Sequence, residues 1–291
     1  MFALIIGINN YQSKEFLSLR GAVPDGKEFK DHLIKRLRVP EHQISTLFNE
    51  QATRSAIIKA FEDLSKDDRI KEGDPIFIFY AGHGGQKKPH PDWNEPNPKI
   101  EVIVPYDCTD DSDSLTPAPG FVPSIPDITT AALIDKIADK KGNNIVSGLA
   151  CPLNPRSHSN FLNKTVVFDC CHSASGTRGS EDGSSPRVRS VLLGDLELDS
   201  NTDRDIWDRH SRGTLAYAGS SRRGLKSHML ISACSSSEKA VEHEGRGRLS
   251  VALLKLLDIV SPHKLRYCDI LANIDQIPEL VSLITTAIIS G

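Results

Sequence analysis

The feature that most constrains the fold of this chain is the alternation of short apolar runs with amphipathic segments. The runs are almost continuously apolar, which is typical of strands buried on both faces of a sheet. This alternation predicts an α/β fold of three layers, with helices on both faces of a central, mostly parallel sheet. The predicted strands are Phe2–Gly7, Ile44–Phe48, Pro75–Tyr80, Thr165–Phe168 and His228–Ala233.

The amphipathic segments are predicted as helices because apolar side chains recur three and four positions apart and would form one buried face. Gly142 follows the third segment and is expected to end that helix, since glycine readily adopts the left-handed conformation of a helix C-terminus. A further apolar run, Ile100–Val104, is predicted to be an added strand or one arm of a hairpin. The predicted helical faces are Phe29–Leu37, Ile57–Leu64, Leu133–Ala138, Leu249–Leu257 and Tyr267–Ile274.

The chain length allows one large α/β domain or two small ones, and the prediction is a single domain spanning residues 1–291. The 291 residues are 38% hydrophobic and 25% charged, an ordinary globular composition that can bury a substantial core. Residues 174–226 are rich in Gly, Ser, Arg and Asp, and they are expected to form long exposed loops.

Two stretches depart from the regular pattern. Residues 146–164 separate a predicted helix from a predicted strand, where roughly two to six residues are the norm. They are interpreted as a surface insertion, which loops tolerate at modest entropic cost, or as a retained intron, since Val146-Ser147 can be encoded by an intron donor site. Near the C-terminus, Leu280–Ile289 is apolar enough to form an edge strand, and truncation of the chain is the alternative.

Charge and cysteine usage narrow the class of partner and the compartment. The net charge of −3 gives no reason to expect nucleic acid or an anionic membrane as the main partner. No apolar run approaches the roughly 20 residues that span a bilayer, and the N-terminus lacks the basic region of a signal peptide. Six cysteines without a CxxC pair favour reduced thiols. We therefore expect a soluble cytoplasmic protein.

Two short motifs with reactive side chains follow directly after predicted strands. Tyr80–Gly85 reads YAGHGG, and Asp169–Ala174 reads DCCHSA. Because the carboxyl ends of parallel strands gather at one edge of a sheet, these motifs are expected to face the same crevice. The arrangement would bring His83 and Cys171 together.

A cysteine and a histidine at one crevice suit nucleophilic catalysis. Only the thiolate of a cysteine attacks well, and a free thiol is mostly protonated at neutral pH. His83 is predicted to take the proton of Cys171 as general base and to return it to the leaving amine. The backbone N–H groups of Gly84 and Cys171 are predicted oxyanion-hole donors, because a turn at a strand end leaves them unpaired.

Other interpretations of these motifs predict no peptidase. A buried cysteine is often a small apolar core residue, and a histidine between glycines can cap a turn. Cys170-Cys171-His172 lacks the second ligand pair of a zinc site, so no metal ligand is predicted. No G-x-G-x-x-G follows the first strand, which argues against a dinucleotide-binding fold.

The motifs resemble those of the caspase and metacaspase clan of cysteine peptidases, especially fungal caspase-domain proteins. The resemblance implies the clan's central six-stranded sheet, a cysteine-type endopeptidase activity on protein or peptide substrates, and His83 and Cys171 as the catalytic pair. A role in apoptosis is implied only by the family name. The matching segments are Phe2–Tyr11, Leu19–Gly21 with Asp25, Tyr80–Gly85, Asp169–Ser173, Ile231–Glu242 and Gly245–Leu254.

The resemblance also implies how the residue before the cleaved bond, P1, is recognised. Asp169 is expected in the S1 pocket, where its carboxylate would pair with arginine or lysine. Metacaspases carry a second acid at the position that Ser236 occupies here, so Glu238 or Glu242 is expected to replace it.

A competing specificity is implied by Arg20, which lies where caspases carry an arginine that binds aspartate. A solvated loop residue is the other interpretation of Arg20. Ser232, in the segment that closes the pocket, is a further expected substrate contact. We predict basic P1 residues.

Regulation and loss of activity are two further expectations from the resemblance. No cofactor is required for the chemistry, but Ca²⁺ is a candidate activator through acids after the histidine motif, although a solvated acidic loop also explains them. Self-processing is expected at arginines in residues 174–226. An inactive scaffold or regulator with the same fold is the alternative function. The acids are Asp107, Asp110, Asp111, Asp113 and Asp127, and the arginines include Arg178, Arg187, Arg189, Arg204, Arg222 and Arg223.

Overall fold

The computed structural model describes residues 1–93, 95, 98–109, 120–142, 165–170, 187–193, 198–208, 229–233, 240–259 and 289–290. Its helices are α1 (Ala22–Lys35), α2 (Arg54–Lys66), α3 (Asp127–Lys141), α4 (Arg204–Asp208) and α5 (Arg248–Ile259). Its strands are β1 (Phe2–Gly7), β2 (Ile44–Phe48), β3 (Ile76–Ala81), β4 (Gly84–Lys87), β5 (Ile100–Ile103), β6 (Ile125–Pro126), β7 (Thr165–Asp169), β8 (Arg187–Val188), β9 (Met229–Ser232), β10 (Val241–His243), β11 (Arg246–Gly247) and β12 (Ile289–Ser290).

The main sheet has the strand order β12-β9-β7-β3-β1-β2. Strands β2, β1, β3, β7 and β9 run parallel, and the short β12 pairs antiparallel with β9. The register places Gly7, Ala81 and Asp169 side by side at the ends of β1, β3 and β7. The mostly parallel α/β architecture predicted from the sequence is therefore confirmed.

Alternating side chains of β1 enter different core layers, which explains why the run is continuously apolar. Leu4 and Ile6 lie in the core between the sheet and helices α2 and α3. Ala3 and Ile5 lie in the core between the sheet and helices α1 and α5. Each fully buried leucine or isoleucine contributes about 1.5–3 kcal/mol, so both layers hold the central strand in place.

Single residues in the sequence explain where α2 begins and where α3 ends. The hydroxyl of Thr53 accepts a hydrogen bond from the N–H of Ala56 at 3.2 Å and caps α2. Gly142 ends α3 as predicted, but its φ of 74° and ψ of 154° lie outside the left-handed helical region, in a conformation that is essentially restricted to glycine. The acid Asp25 lies in the first turn of α1 and is buried beside Phe29, which places a carboxylate on the core side of that helix.

Two small sheets flank the carboxyl ends of the main strands. The first has the order β4-β5-β6 and starts directly after His83, so the predicted added strand near residue 100 is present as β5. The second has the order β11-β10-β8. An isolated parallel bridge between Gly84 and Ser190 joins the two sheets.

Within residues 174–226, the expectation of exposed loops is wrong at some of the described residues and holds at others, such as Leu192, which is 60% exposed. Arg189 is 0% exposed, and Leu198 and Trp207 are buried as well. The physical reason is that Arg189 has charged partners and Trp207 packs against Trp93 with ring centroids 4.7 Å apart. A polar composition does not reveal such long-range partners.

Several predictions fall outside the described residues. They are the interpretation of residues 146–164, the helix at Tyr267–Ile274 and most of the edge strand at Leu280–Ile289. Among the described residues, no helix combines the length and apolar character that crossing a membrane requires.

Candidate active site

The histidine motif lies at the carboxyl edge of the main sheet, beside the end of β7. His83 follows β3 by two residues, and Ala81 pairs in register with Asp169 of the neighbouring strand. Cys170 follows Asp169 and is buried. The predicted nucleophile Cys171 lies outside the described residues, so the geometry of the site rests on the groups around it.

The tautomer of His83 is set by the hydrogen bond that its ring nitrogen Nε2 forms. Its Nε2 lies 2.7 Å from the carbonyl oxygen of Leu17, and a carbonyl only accepts. Nε2 therefore carries the hydrogen. In the neutral ring, Nδ1 then holds a lone pair, and this buried atom has no hydrogen-bond partner among the described residues.

Burial keeps this imidazole neutral. It lowers the pKa of His83 from 6.5 to about 4, because the charged form would lose its hydration. The Leu17 carbonyl opposes this shift, and the positive charge of Arg189 adds to it. At neutral pH, His83 is thus a proton acceptor at Nδ1.

Two tyrosines fix the backbone and ring of His83. The N–H of His83 donates to the hydroxyl of Tyr11 at 2.7 Å, and the hydroxyl of Tyr80 donates to the carbonyl of His83 at 2.7 Å. A Cβ on Gly82 would lie 2.7 Å from the Tyr80 hydroxyl and 2.9 Å from the Tyr11 hydroxyl. Only glycine fits there, which accounts for the glycine before the histidine.

Three carboxylates surround the guanidinium of Arg189 next to this motif. Nη2 of Arg189 lies 2.6 Å from Oδ2 of Asp25 and 3.1 Å from Oε1 of Glu242. Nη1 of Arg189 lies 2.9 Å from Oδ2 of Asp169. All four side chains are buried. We call Asp25, Asp169 and Glu242 the acidic pocket.

The carboxylates of the acidic pocket are held by hydrogen bonds from neighbouring elements. Asp25 accepts from the N–H of Gly247 at 2.8 Å, and Asp169 accepts from the hydroxyl of Ser250 at 2.5 Å. Such bonds fix the pocket's shape before any ligand enters.

Backbone donors at the start of α1 hold the third carboxylate. Glu242 accepts from the N–H of Arg20 at 2.8 Å and from that of Gly21 at 2.9 Å. These bonds aim both oxygens of Glu242 and fix its position beside the guanidinium.

The charge balance of the pocket demands a cation. Arg246 also reaches Asp25, with Nε 2.5 Å from Oδ1, but its guanidinium is shared with Glu28. Burial acts to lower the pKa of Arg189, yet the charges of Asp169, Asp25 and Glu242 outweigh it and hold that pKa above its ordinary value. Removing one partner from buried charges costs several kcal/mol, so the three acids require the positive charge that Arg189 supplies in this structure.

Sequence comparison decides the family. A family model described as the caspase domain matches residues 1–279. The chain belongs to the caspase-domain family.

Several similar proteins are fungal. Metacaspase-1A of Aspergillus oryzae is 35% identical over 179 residues, which cover 60% of this chain and 34% of that protein. Metacaspase-1B of Neurospora crassa is 33% identical over 111 residues, covering 36% of this chain and 25% of that protein. The chain therefore spans about a third or less of the length of these curated relatives.

One solved structure shares the overall fold of this chain. A protein from Geobacter sulfurreducens superposes with a TM-score of 0.59, covering 96% of this chain and 89% of its own, at 19% identity. At that identity the likeness concerns the fold alone.

The structure brings two of the residues predicted to bind substrate close together. Asp169 and Glu242 are both in the acidic pocket, whereas the side chain of Arg20 is exposed and only its backbone N–H contacts Glu242. Ser232 ends β9, and Glu238 lies outside the described residues.

Two functional groups were missed by the sequence reasoning, Asp25 as a pocket acid and Arg189 as its partner. A signal for Asp25 was available, because this acid lies four residues before Phe29 on the apolar face of α1. No comparable local signal distinguishes Arg189 from the other arginines of its region.

Two of the five acids predicted for Ca²⁺, Asp107 and Asp127, lie within the described part of the chain. Asp107 accepts from the N–H of Arg54 at 2.7 Å, and Asp127 begins α3. The other predicted acids, 110, 111 and 113, lie outside it. Among the described residues, no cluster of three or more metal-ligating side chains occurs.

Proposed function

We propose that this caspase-domain chain is a cysteine endopeptidase that cleaves peptide bonds after arginine or lysine. The observation that carries the proposal is the buried acidic pocket, which holds a guanidinium beside a neutral histidine with a free acceptor nitrogen. The names of the fungal relatives, which are metacaspases, agree with this class of activity.

The proposed reaction uses Cys171 as nucleophile and Nδ1 of His83 as base. The thiol transfers its proton to Nδ1, and the thiolate attacks the carbonyl carbon of the P1 residue. The N–H groups of Gly84 and Cys171 stabilise the negative oxygen. His83 then protonates the leaving amine, and water hydrolyses the thioester to release the new carboxyl group.

The choice of a basic P1 residue follows from the charges of the pocket. Arg189 fills the pocket in this structure, so a substrate arginine would take its place and set its guanidinium among three carboxylates that hydrogen bonds already orient. An aspartate would face like charges in a buried site. Because the Arg20 side chain is exposed, the pocket offers little to a P1 carboxylate.

Activation by Ca²⁺ and a reducing compartment are proposed from the family resemblance. Ca²⁺ is proposed only as an activator, since the chemistry above requires no metal. The thiol mechanism needs a reducing compartment, and Cys108 and Cys170 form no disulfide bond within the described structure. No observation among the described residues favours the inactive scaffold, so it is not proposed.

The experiment is turnover of fluorogenic peptides with Arg, Lys or Asp at P1, with and without Ca²⁺, in reducing buffer. Cys171→Ala is expected to abolish turnover, and Cys170→Ala is the matched control because it removes the neighbouring thiol. Preference for Asp, or undiminished turnover by Cys171→Ala, would contradict the proposal.

A further inference from the structure

The residues that follow Arg189 lie alongside the histidine motif. The N–H of Gly84 donates to the carbonyl oxygen of Arg189 at 3.1 Å, and the N–H of Val191 donates to the carbonyl oxygen of Gly84 at 3.0 Å. These two hydrogen bonds form an isolated parallel bridge. The backbone of residues 189–193 is therefore held in a defined register against Gly84.

Alternate side chains of this segment contact a group of buried apolar residues. Val191 and Leu193 pack against the group, whereas Leu192 between them is 60% exposed. Such alternation is typical of an extended chain with one buried face. A Cβ on Gly85 would lie 2.9 Å from Cδ1 of Leu193, so this leucine also lies close to the backbone of β4. We call the buried residues the apolar cluster; they are Phe16, Val104 and Cys108.

The apolar cluster adjoins the proposed base, His83. The N–H of Val104 donates to the carbonyl oxygen of His83 at 3.1 Å. The ring centroid of Tyr11 lies 5.0 Å from that of His83 and 5.7 Å from that of Phe16. The cluster is thus next to the group proposed to protonate the leaving amine, where the substrate residues after the cleaved bond are expected to lie.

Arg189 gives the register in which a substrate would meet the apolar cluster. Its side chain fills the acidic pocket, and its carbonyl oxygen contacts Gly84, a proposed oxyanion donor. A substrate that takes the place of this segment would put its P1 residue at the position of Arg189. The second and fourth residues after the cleaved bond, P2′ and P4′, would then take the positions of Val191 and Leu193.

We propose that the apolar cluster is a second specificity site, which binds branched aliphatic side chains at P2′ and P4′ of the substrate. The inference rests on the proposed function and narrows its substrate class to proteins with a basic P1 residue followed by aliphatic residues at these two positions. Backbone hydrogen bonds to an extended peptide supply affinity, and pockets for alternate side chains supply specificity.

Burial is the physical cause of this selection. A branched aliphatic side chain at P2′ removes apolar surface of both partners from water. A hydroxyl or charged side chain there would lose its hydration against apolar atoms. The third residue after the bond, P3′, corresponds to the exposed Leu192 and is expected to vary freely.

The first test measures kcat/KM for internally quenched peptides with arginine at P1 and varied residues after the cleaved bond, in reducing buffer. Valine at P2′ is expected to give a kcat/KM about 10-fold above serine, since one missing methylene in an apolar pocket already costs about 10-fold. Replacing leucine with serine at P4′ should lower kcat/KM as well. The same replacement at P3′ is the matched control and should have little effect.

A variant of the apolar cluster gives the second test. Phe16→Ala enlarges the site, so the kcat/KM ratio of leucine to valine at P2′ is expected to rise, while the ratio of arginine to citrulline at P1 stays as in the wild type. Ile259→Ala, which trims a side chain that is 77% exposed, is the control and should change neither ratio. Because each ratio is measured within one protein, a lower folded fraction leaves it unchanged.

The outcomes separate this inference from the proposed function. Equal kcat/KM for valine and serine at P2′, in arginyl peptides that are cleaved, would overturn the inference and leave the proposed function standing. A P2′ preference that Phe16→Ala does not alter would also overturn it, because the apolar cluster would then not be its source. Absence of cleavage of every arginyl peptide would contradict both.

Discussion

At the scale of single residues, the proposed proton transfer from Cys171 depends on which ring nitrogen of His83 carries the hydrogen. The Leu17 carbonyl fixes the hydrogen on Nε2, and burial lowers the pKa to about 4. We therefore expect a neutral ring with Nδ1 unprotonated down to about pH 5. Nitrogen-15 NMR of histidine-labelled Cys171→Ala protein would measure both the tautomer and the titration.

The signal of this residue is assigned by its loss in a second chain that also carries His83→Gln. Since the unfolded chain binds the proton with an ordinary pKa near 6.5, this group contributes stability above pH 6.5 that is lost as the pH falls toward 4. A hydrogen on Nδ1, or an imidazolium at pH 6, would contradict the account of the base.

The residue-scale prediction from sequence succeeded where a motif is contiguous and failed where partners are distant. Asp169 and His83 lie in short motifs at strand ends, so their placement followed from the sheet. Asp25 and Arg189 are 164 positions apart in the chain, and no local pattern links them. Only the folded structure shows that the guanidinium of Arg189 pairs with the carboxylate of Asp25 in helix α1.

At the scale of elements, α1 is the helix that positions the pocket, because it carries Asp25 and packs closely on β1. A Cβ on Gly7 would lie 2.8 Å from the carbonyl oxygen of Ala22 and 3.2 Å from Val23. Gly7→Ala is therefore expected to reduce the free energy of unfolding by about 1–3 kcal/mol. Urea denaturation of the Cys171→Ala chain measures it.

Gly26→Ala is the comparison for this prediction. Its Cβ would meet side chains, Phe48 at 2.9 Å and Ile5 at 3.1 Å, which can shift more readily than backbone. The Gly26→Ala change also stabilises helix α1 by about 1 kcal/mol, because alanine has a higher helix propensity than glycine. A larger loss for Gly26→Ala than for Gly7→Ala would contradict the close approach of α1 to β1.

The long, strongly periodic elements were predictable because their apolar spacing is a local property. Strands β1 and β2 match the predicted bounds, and β3 and β9 differ from them by a residue or two. Strands β8, β10 and β11 were missed. They are only two or three residues long and largely charged, and the ion pair between Arg189, just after β8, and Glu242 of β10 joins residues far apart in the chain.

At the scale of the whole molecule, the acidic pocket joins segments from both ends of the chain, so its charge balance affects global stability. In the Cys171→Ala background, Arg189→Met leaves three buried carboxylates with Arg246 as the nearest cation. We expect it to lower the free energy of unfolding by about 3–5 kcal/mol, measured by urea denaturation at pH 7.

The sign of the pH dependence identifies the cause of that loss. Burial already holds the pKa of Asp25 above its ordinary value, and the charge of Arg189 opposes that shift. Without Arg189 this pKa rises further, so the folded chain binds more protons and the stability deficit shrinks as the pH falls. Arg204→Met, at an exposed site, should change stability by about 0.5 kcal/mol or less. A deficit that is constant between pH 7 and pH 5 would contradict the electrostatic account.

The central claim is that buried acids select a cationic P1 side chain for cleavage by Cys171. The most direct test is the ratio of kcat/KM for two peptide substrates. Two peptides that differ only in arginine or citrulline at P1 have nearly the same shape but differ in charge. With the Cys171→Ala chain as background, the account predicts a kcat/KM at least roughly 100-fold higher for arginine, from about 1.5–3 kcal/mol for each hydrogen bond between charged groups. Equal turnover of the two peptides, or turnover of neither, would contradict it.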